Sequence, residues 1–329
     1  MPDGRRQAPG ASTSLKGIWA AIFTPFDAAG ALDLAGAAEN ARAYRERFGL
    51  SGIFCNGIMG EGWSLCLSER MAALEAVLDG ANGGDAGRLD VGVVVTHHAL
   101  AETLELARHA GRVGAHHVVL MRPRGPWSAA ELAAIGGAVA DASGLPLVLF
   151  ESTVPGMTFG PAAMAELAAS TDIIGVKATG GVKAVADLRR RFPELTICDP
   201  HEDQHLSDLL MGDDAPLYAD PEPYLYALAN GNCVSAYNTA VRAGDLAAAA
   251  ASWRALAPFR AVYDKWIIGP LDQGQSPVAA LKLWAGRRGL IAGQPRFPIL
   301  PLNAETGQTL AAEIEAADAL VARDWPKSP

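Results

Sequence analysis

The chain has 329 residues, is 50% hydrophobic, and carries a formal net charge of −9 from 36 acidic and 27 basic side chains. That length suits one large α/β domain or two ordinary ones. The acidic balance excludes an electrostatic nucleic-acid binder and argues against an anionic membrane surface.

Residues 1–16 read as a flexible polar tail with no apolar core of the signal-peptide kind. Gly17–Phe23 is the first predicted strand, stopped by Thr24-Pro25, and Asp33 caps a helix to about Phe48. Gly52–Asn56 is the second strand, followed by Gly57-Ile58-Met59-Gly60-Glu61-Gly62 and a helix expected to be capped by Ser68. Asp90–Thr96 and His116–Met121 are the third and fourth strands, with helices over Ala101–Val113 and from Ser128 to about Ser143. Leu145–Phe150 is the fifth strand and Pro161–Ala169 its helix. Ile173–Lys177 is the sixth, followed by a helix over Val182–Phe192. Leu195–Cys198 and Pro216–Ala219 are short seventh and eighth strands, with a helix to about Met211 between them. Further helices are expected at about Tyr224–Ala229, Leu246–Trp266, Pro277–Arg287 and Glu305–Ala322.

A strand–helix alternation repeated about eight times, with no Gly-rich dinucleotide fingerprint after the first strand, indicates a (β/α)₈ TIM barrel rather than an open doubly wound sheet. The expected organisation is a tail (1–16), a barrel (17–240) and a C-terminal helical region (241–329). No apolar run is long enough to span a bilayer, and a cytoplasmic protein is expected. Cys55, Cys66, Cys198 and Cys233 lack CxxC spacing, so they read as buried reduced thiols rather than a metal or disulfide framework.

Active sites of such barrels lie at the C-terminal ends of the strands. Those ends carry Thr24, Gly57–Glu61, Thr96-His97, Arg122–Arg124, Phe150-Glu151, Lys177, Asp199–Asp203 and Tyr218–Asp220. Lys177 ends an apolar strand, where lysine is rarely buried without a reason. Withdrawal of an amine from water favours its neutral, nucleophilic form; the alternative is a lysine that reaches the surface or pairs with an acid. The Gly57–Gly60 turn suits an anion, since glycines let backbone N–H groups approach it; the alternative is a tight βα turn without a ligand. His201-Glu202-Asp203 suits helix capping, acid–base work, or, with His205, an H-E-x-x-H zinc pair. Pro200 and the lack of a third ligand speak against the zinc pair. His97-His98 and His116-His117 are strand neighbours expected to point to opposite faces. Arg122 and Arg124 suit a substrate carboxylate or a solvated rim.

The ordered motifs GIWAAIFTPF, GIFCNGIMGE with LSER, LPLVLF, IIGVKATGG and SPVAALKLWAGRRG with PILPL resemble the dihydrodipicolinate synthase/N-acetylneuraminate lyase superfamily over roughly Gly17 to Leu302. The resemblance implies a class I aldolase-type barrel, commonly tetrameric, in which Lys177 forms a Schiff base with pyruvate or a related 2-oxo acid. It implies no metal and no organic cofactor. DPHEDQHLSDL is similar to the hydratase-aldolase branch, which cleaves aryl-ylidenepyruvates. The family's usual Gly-Thr-Thr-Gly-Glu loop is altered at Ile58 and Met59, and its strand-five tyrosine is Phe150. Met157 stands where dihydrodipicolinate synthases place an arginine. The expected catalytic residues are Lys177 with Glu151 and His201, the replacement acid/base being Glu151, His201, Glu202 or a bound water. Gly57, Ile58, Met59, Gly60, Phe150 and Glu202 are expected to bind a 2-oxo acid with an apolar or aromatic aldehyde half. A sugar-acid dehydratase, or a homologue that binds without catalysis, is the alternative. A homo-oligomer, tetramer or dimer, is expected from the resemblance alone.

Overall fold

The computed structural model describes residues 15–82, 88–151, 157–211, 216–228 and 231–326. Most of the expected tail, residues 1–14, lies outside the described residues, and Leu15 at its end is buried. In chain order the elements begin β1 (Ile18–Ala21), α1 (Leu34–Glu46), β2 (Gly52–Cys55), α2 (Leu67–Asn82), β3 (Asp90–Val94), α3 (Leu100–Val113), β4 (His117–Met121) and α4 (Ala129–Ser143). They continue β5 (Leu147–Glu151), α5 (Gly160–Ser170), β6 (Ile173–Ala178), α6 (Gly181–Arg191), β7 (Ile197–Cys198), α7 (Glu202–Leu210), β8 (Leu217–Ala219) and α8 (Glu222–Leu225). A two-stranded hairpin, β9 (Ala227–Leu228) and β10 (Gly231–Asn232), leads into α9 (Cys233–Arg242), α10 (Leu246–Ala255) and α11 (Ala257–Tyr263). A π turn (Asp264–Ile268), α12 (Gly269–Asp272), α13 (Val278–Arg287) and α14 (Ala304–Asp324) complete the described chain. Eight parallel strands alternating with helices, with helices beyond them, make this a (β/α)₈ barrel fold with a C-terminal helical extension. Among the described residues no helix is long and apolar enough to cross a membrane.

The chain divides into two compact units. Unit 1 takes in Gly92–Cys198 and the residues before Gly17; unit 2 takes in Gly17–Val91 and everything from Asp199 onward. In unit 1 the strands pair in parallel in the order β7-β6-β5-β4-β3. β4, β5 and β6 are buried over almost their whole length, as continuous apolar runs covered on both faces should be. Phe150 of β5 is the register partner of Lys177 of β6, and Lys177 in turn is the partner of Cys198 of β7. A capping box closes the start of α4: the Ser128 hydroxyl accepts from the Glu131 N–H, and the Glu131 carboxylate accepts from the Ser128 N–H.

In unit 2, β1 pairs in parallel with β2 and with β8. Its core includes an aromatic stack. Tyr218 of β8 lies 5.5 Å from Trp19 of β1 and 4.5 Å from Phe54 of β2, centroid to centroid. Trp19 covers its register partner Gly52 so closely that a Cβ there would be 2.4 Å from the indole. Glycine is thus required at Gly52 by close approach rather than by its dihedrals. Asp33 caps α1 as expected, its carboxylate accepting from the Gly36 N–H at 2.7 Å.

The structure corrects several expectations. Ser68 is not a cap: α2 already begins at Leu67, and the Glu69 carboxylate accepts the Cys66 N–H instead. The helix expected over Leu246–Trp266 is two helices and a π turn, because Pro258 has no N–H to donate and its ring collides with the preceding turn. The helix expected at about Tyr224–Ala229 is a single turn that gives way to β9, and α9, capped by Asn232, was not anticipated. Cys66 is exposed, while Cys55, Cys198 and Cys233 are buried. His116 precedes β4, so strand alternation does not govern it; its ring meets that of His117 with the two Nδ1 atoms 2.9 Å apart.

Removing the ring at the centre of the unit 2 stack should be costly. Tyr218→Ala is expected to lower unfolding stability by about 3–5 kcal/mol, the usual cost of deleting a buried aromatic side chain. Urea unfolding followed by near-ultraviolet circular dichroism measures it.

Candidate active site

Lys177 has no solvent exposure (0%), although it lies one residue from the C-terminal end of β6. Its Nζ sits 4.4 Å from the centroid of the Phe150 ring, across the β5–β6 register. The amine thus faces a π surface where the superfamily carries a phenol, and an aromatic face attracts a cation electrostatically. Phe150 is itself buried, and neither side chain offers a hydroxyl.

Glu151, next along β5, turns to the start of α5. Its carboxylate accepts the N–H of Phe159 at 2.7 Å and of Gly160 at 3.3 Å, satisfying donors that a helix N-terminus leaves open. Burial raises its pKa above the usual carboxylate range, against those hydrogen bonds and the charge of Arg122. Its main-chain carbonyl accepts the N–H of Thr179 at 3.1 Å, just past β6. Arg122 folds back on its own loop, donating to the carbonyls of Pro123 and Gly125. Of the segment expected to hold Met157 in place of an arginine, residues 152–156 lie outside the described residues and Met157 is half-buried.

In unit 2 the turn after β2 is bracketed by two non-glycine residues in the left-handed region, Asn56 (φ 60°) and Glu61 (φ 52°). Each such residue typically costs on the order of 1–3 kcal/mol, and persists only where its surroundings hold it. Here the holders are visible. The Thr24 hydroxyl donates to the Gly60 carbonyl at 2.7 Å, and the Asn56 amide donates to the Arg70 carbonyl at 3.0 Å. A Cβ on Gly62 would lie 2.2 Å from the Asn56 carbonyl oxygen. The Glu61 carboxylate, with 0% of its side chain exposed, pairs with Lys282 of α13 at 2.6 Å and accepts the N–H of Arg296 at 2.8 Å. The N–H groups of Gly57, Ile58, Met59 and Gly60 meet no acceptor among the described residues. The side chain of Met59 is buried and that of Ile58 half-buried.

The stretch after β7 builds a dyad. His201 is the N-cap residue of α7, and its Nδ1 lies 2.6 Å from the carboxylate of Asp199. Its main-chain N–H donates to the same oxygen at 3.0 Å. Asp199 is buried, and the hydrogen bond it makes raises the pKa of His201 above the ordinary imidazole value, against the effect of burial. Glu202 is committed elsewhere: Arg260 donates to both of its oxygens, at 2.7 and 3.0 Å, and the Tyr237 hydroxyl donates to one at 2.9 Å. His205 hydrogen-bonds Asn238 at 3.1 Å. The H-E-x-x-H reading therefore fails on geometry, with His201 and Glu202 both engaged and His205 turned to α9. Among the described residues no group of three or more His, Cys, Asp and Glu side chains suits a metal ion.

The dihydrodipicolinate synthetase family model matches residues 14–317. The chain belongs to that family. It is 32% identical over 326 residues to the 4-hydroxy-tetrahydrodipicolinate synthase of Stenotrophomonas maltophilia (strain K279a), covering 93% of this chain and 99% of that one. It is 31% identical over 209 residues to the N-acetylneuraminate lyase of Escherichia coli (strain SMS-3-5 / SECEC), covering 62% of this chain and 68% of that one. In fold it is similar to the N-acetylneuraminate lyases of Aliivibrio salmonicida (TM-score 0.77, 22% identity, 95% of this chain and 98% of that one) and Proteus mirabilis (TM-score 0.75, 23% identity, 93% and 99%). This family member is an enzyme of the lyase class, of the aldolase type. Reading strand ends in order singles out Lys177, Phe150 and His201 but does not reach Asp199 as the partner of His201 or Lys282 as the partner of Glu61. Asp-Pro-His in sequence carries the first signal; the second lay in the SPVAALKLW motif without an assigned role.

The dyad makes a pH prediction. Because His201 has a raised pKa in the folded state, its contribution to stability is complete below the unfolded-state value of about 6.5 and is lost as pH rises through the folded value. His201 should titrate above an ordinary histidine in an NMR pH series. Asp199→Asn should bring that titration down and destabilise the fold more at about pH 5 than at about pH 9.

Proposed function

We propose that this chain is a class I, Schiff-base lyase that cleaves an aryl-ylidenepyruvate by hydration and retro-aldol fission, giving an aromatic aldehyde and pyruvate. The single observation that carries the reading is Lys177 Nζ held out of water over the Phe150 ring. The Lys177 amine attacks the C2 carbonyl, and loss of water gives an iminium that serves as electron sink. Water then adds at C4 of the conjugated iminium, losing a proton and leaving an enamine, and a proton taken up at C3 restores the iminium. Deprotonation of the new hydroxyl breaks the C3–C4 bond and releases the aldehyde, leaving the electron pair in an enamine. Protonation at C3 and hydrolysis free pyruvate and return Lys177. The sum consumes one water: aryl-ylidenepyruvate plus water gives aldehyde plus pyruvate.

His201 is assigned the proton transfers. With Asp199 on Nδ1, the other ring nitrogen, Nε2, is the one left to exchange a proton, and Asp199 fixes ring and tautomer as an orienting carboxylate does. This replaces the phenol that Phe150 lacks. The backbone of Gly57, Ile58, Met59 and Gly60 is assigned the substrate carboxylate, on the strength of its open N–H groups. The apolar ring of Phe150 beside Lys177 favours an aromatic aldehyde half over a hydroxyl-rich sugar acid. Glu151 and Glu202 enter as positioning residues, because their oxygens already accept hydrogen bonds from α5 and from Arg260 and Tyr237. A homo-oligomer and a cytoplasmic location belong to the same proposal.

Chromatography of reaction mixtures with 2-oxo-4-phenylbut-3-enoate tests it. Benzaldehyde and pyruvate should appear in equal amounts, and Lys177→Met should abolish both. His201→Gln should lower turnover by about 10²–10⁴-fold, the usual share of acid–base help. No release of aldehyde by a folded wild-type protein contradicts the reading, as does loss of water from a sugar acid with its carbon chain intact.

A further inference from the structure

The turn after β2 is held from far along the chain. Glu61 is fully buried, its carboxylate bridged between the Lys282 ammonium at 2.6 Å and the Arg296 main-chain N–H at 2.8 Å. Lys282 is 2% exposed, on α13. Besides Glu61 it donates to the Gln294 carbonyl at 3.0 Å and lies 4.3 Å from the centroid of the Phe26 ring. The Arg296 guanidinium also lies 4.3 Å from that ring. It donates to the Gly30 carbonyl at 2.8 Å, to the Ser64 carbonyl at 3.1 Å and to Glu69 at 2.9 Å. The segment from Gln294 to Arg296 thus grips the turn at Glu61, just beyond it at Ser64, and at the first turn of α2.

A buried ion pair is weak support for stability, since desolvation offsets much of its attraction. What such a pair does well is fix direction. Its two partners cannot separate without leaving a charge buried and alone, so Glu61 is held at φ 52° and the carbonyls of the turn are held with it. Gly60 is the residue before Glu61, and its carbonyl is fastened to Thr24 at 2.7 Å. Pinned at both points, the N–H groups of Gly57 to Gly60 keep one orientation.

We propose that Lys282, acting through Glu61, and the Arg296 side chain, acting through Ser64 and Glu69, are positioning residues that set the anion-binding geometry of the Gly57–Gly60 turn. The inference rests on the carboxylate role given to that turn above. Neither residue touches the substrate; each acts through the shape of the turn.

Two measurements test it on the full chain: hydrogen–deuterium exchange of the peptide covering 56–62, and KM and kcat with 2-oxo-4-phenylbut-3-enoate. Three variants are compared. Lys282→Met breaks the pair, Arg296→Met leaves the pair but frees Ser64 and Glu69, and Glu61→Gln with Lys282→Met removes both charges together. Exchange in 56–62 should speed up in all three while a peptide from α4 stays unchanged. KM should rise about tenfold or more with kcat little altered, the signature of lost binding common to ground and transition states. The neutral double variant should keep the thermal midpoint of the wild type and still show the raised KM, which a merely stabilising role would not produce. Unchanged exchange at 56–62 in Lys282→Met and in the double variant overturns the inference. If wild-type protein cleaves no substrate, the proposed function fails, and the exchange result still decides whether Lys282 and Arg296 hold the turn.

Discussion

The structure turns on an amine kept out of water at the end of a strand. Lysine is seldom fully buried, and Lys177 at 0% exposure is held by what β5 and β7 place beside it. Register sets this arrangement. Phe150 and Lys177 are partners across the β5–β6 ladder, so the ring comes under the amine by pairing rather than by chance of rotamer. Slipping either strand by one residue would put the amine and the ring on opposite faces of the sheet.

Around that constraint, carboxylates do mechanical work. Glu151 closes the start of α5, Glu202 ties α7 to α9 and α11 through Tyr237 and Arg260, and Glu61 ties the turn after β2 to α13. Each is an acid at or next to a strand end, where chemistry is expected, yet each has its oxygens occupied by the fold. Asp199 differs, because its partner is a histidine with a further ring nitrogen. The division of labour proposed here follows from that contrast: three acids position, one acid orients, and the histidine moves the proton.

Much of this was legible in the residues. β4, β5 and β6 announced themselves as apolar runs closed by turn formers, and the eightfold alternation of strand and helix gave the fold class. Lys177 stood out because it ended such a run. The parts that did not show are those set by contacts between distant segments. α9 follows a short hairpin that carries no strand-like pattern, and its signal is a single capping asparagine, Asn232. The break comes at Pro258, a residue without an N–H inside an otherwise helix-forming run. The Glu61–Lys282 pair joins residues from opposite ends of the chain, and no local periodicity reports on it. The ring contact of His116 with His117 arises because His116 lies just before β4, outside the strand's alternation.

The central claim is that Lys177 carries the electrophile. Incubation of the full chain with pyruvate and borohydride, followed by proteolysis and mass spectrometry, tests it directly. The account predicts a stable adduct, with the mass of pyruvate less one oxygen, on the peptide containing Lys177 and absent from Lys177→Met. A folded protein that yields no adduct with pyruvate or any other 2-oxo acid, or one that yields it on a different lysine, would contradict the account.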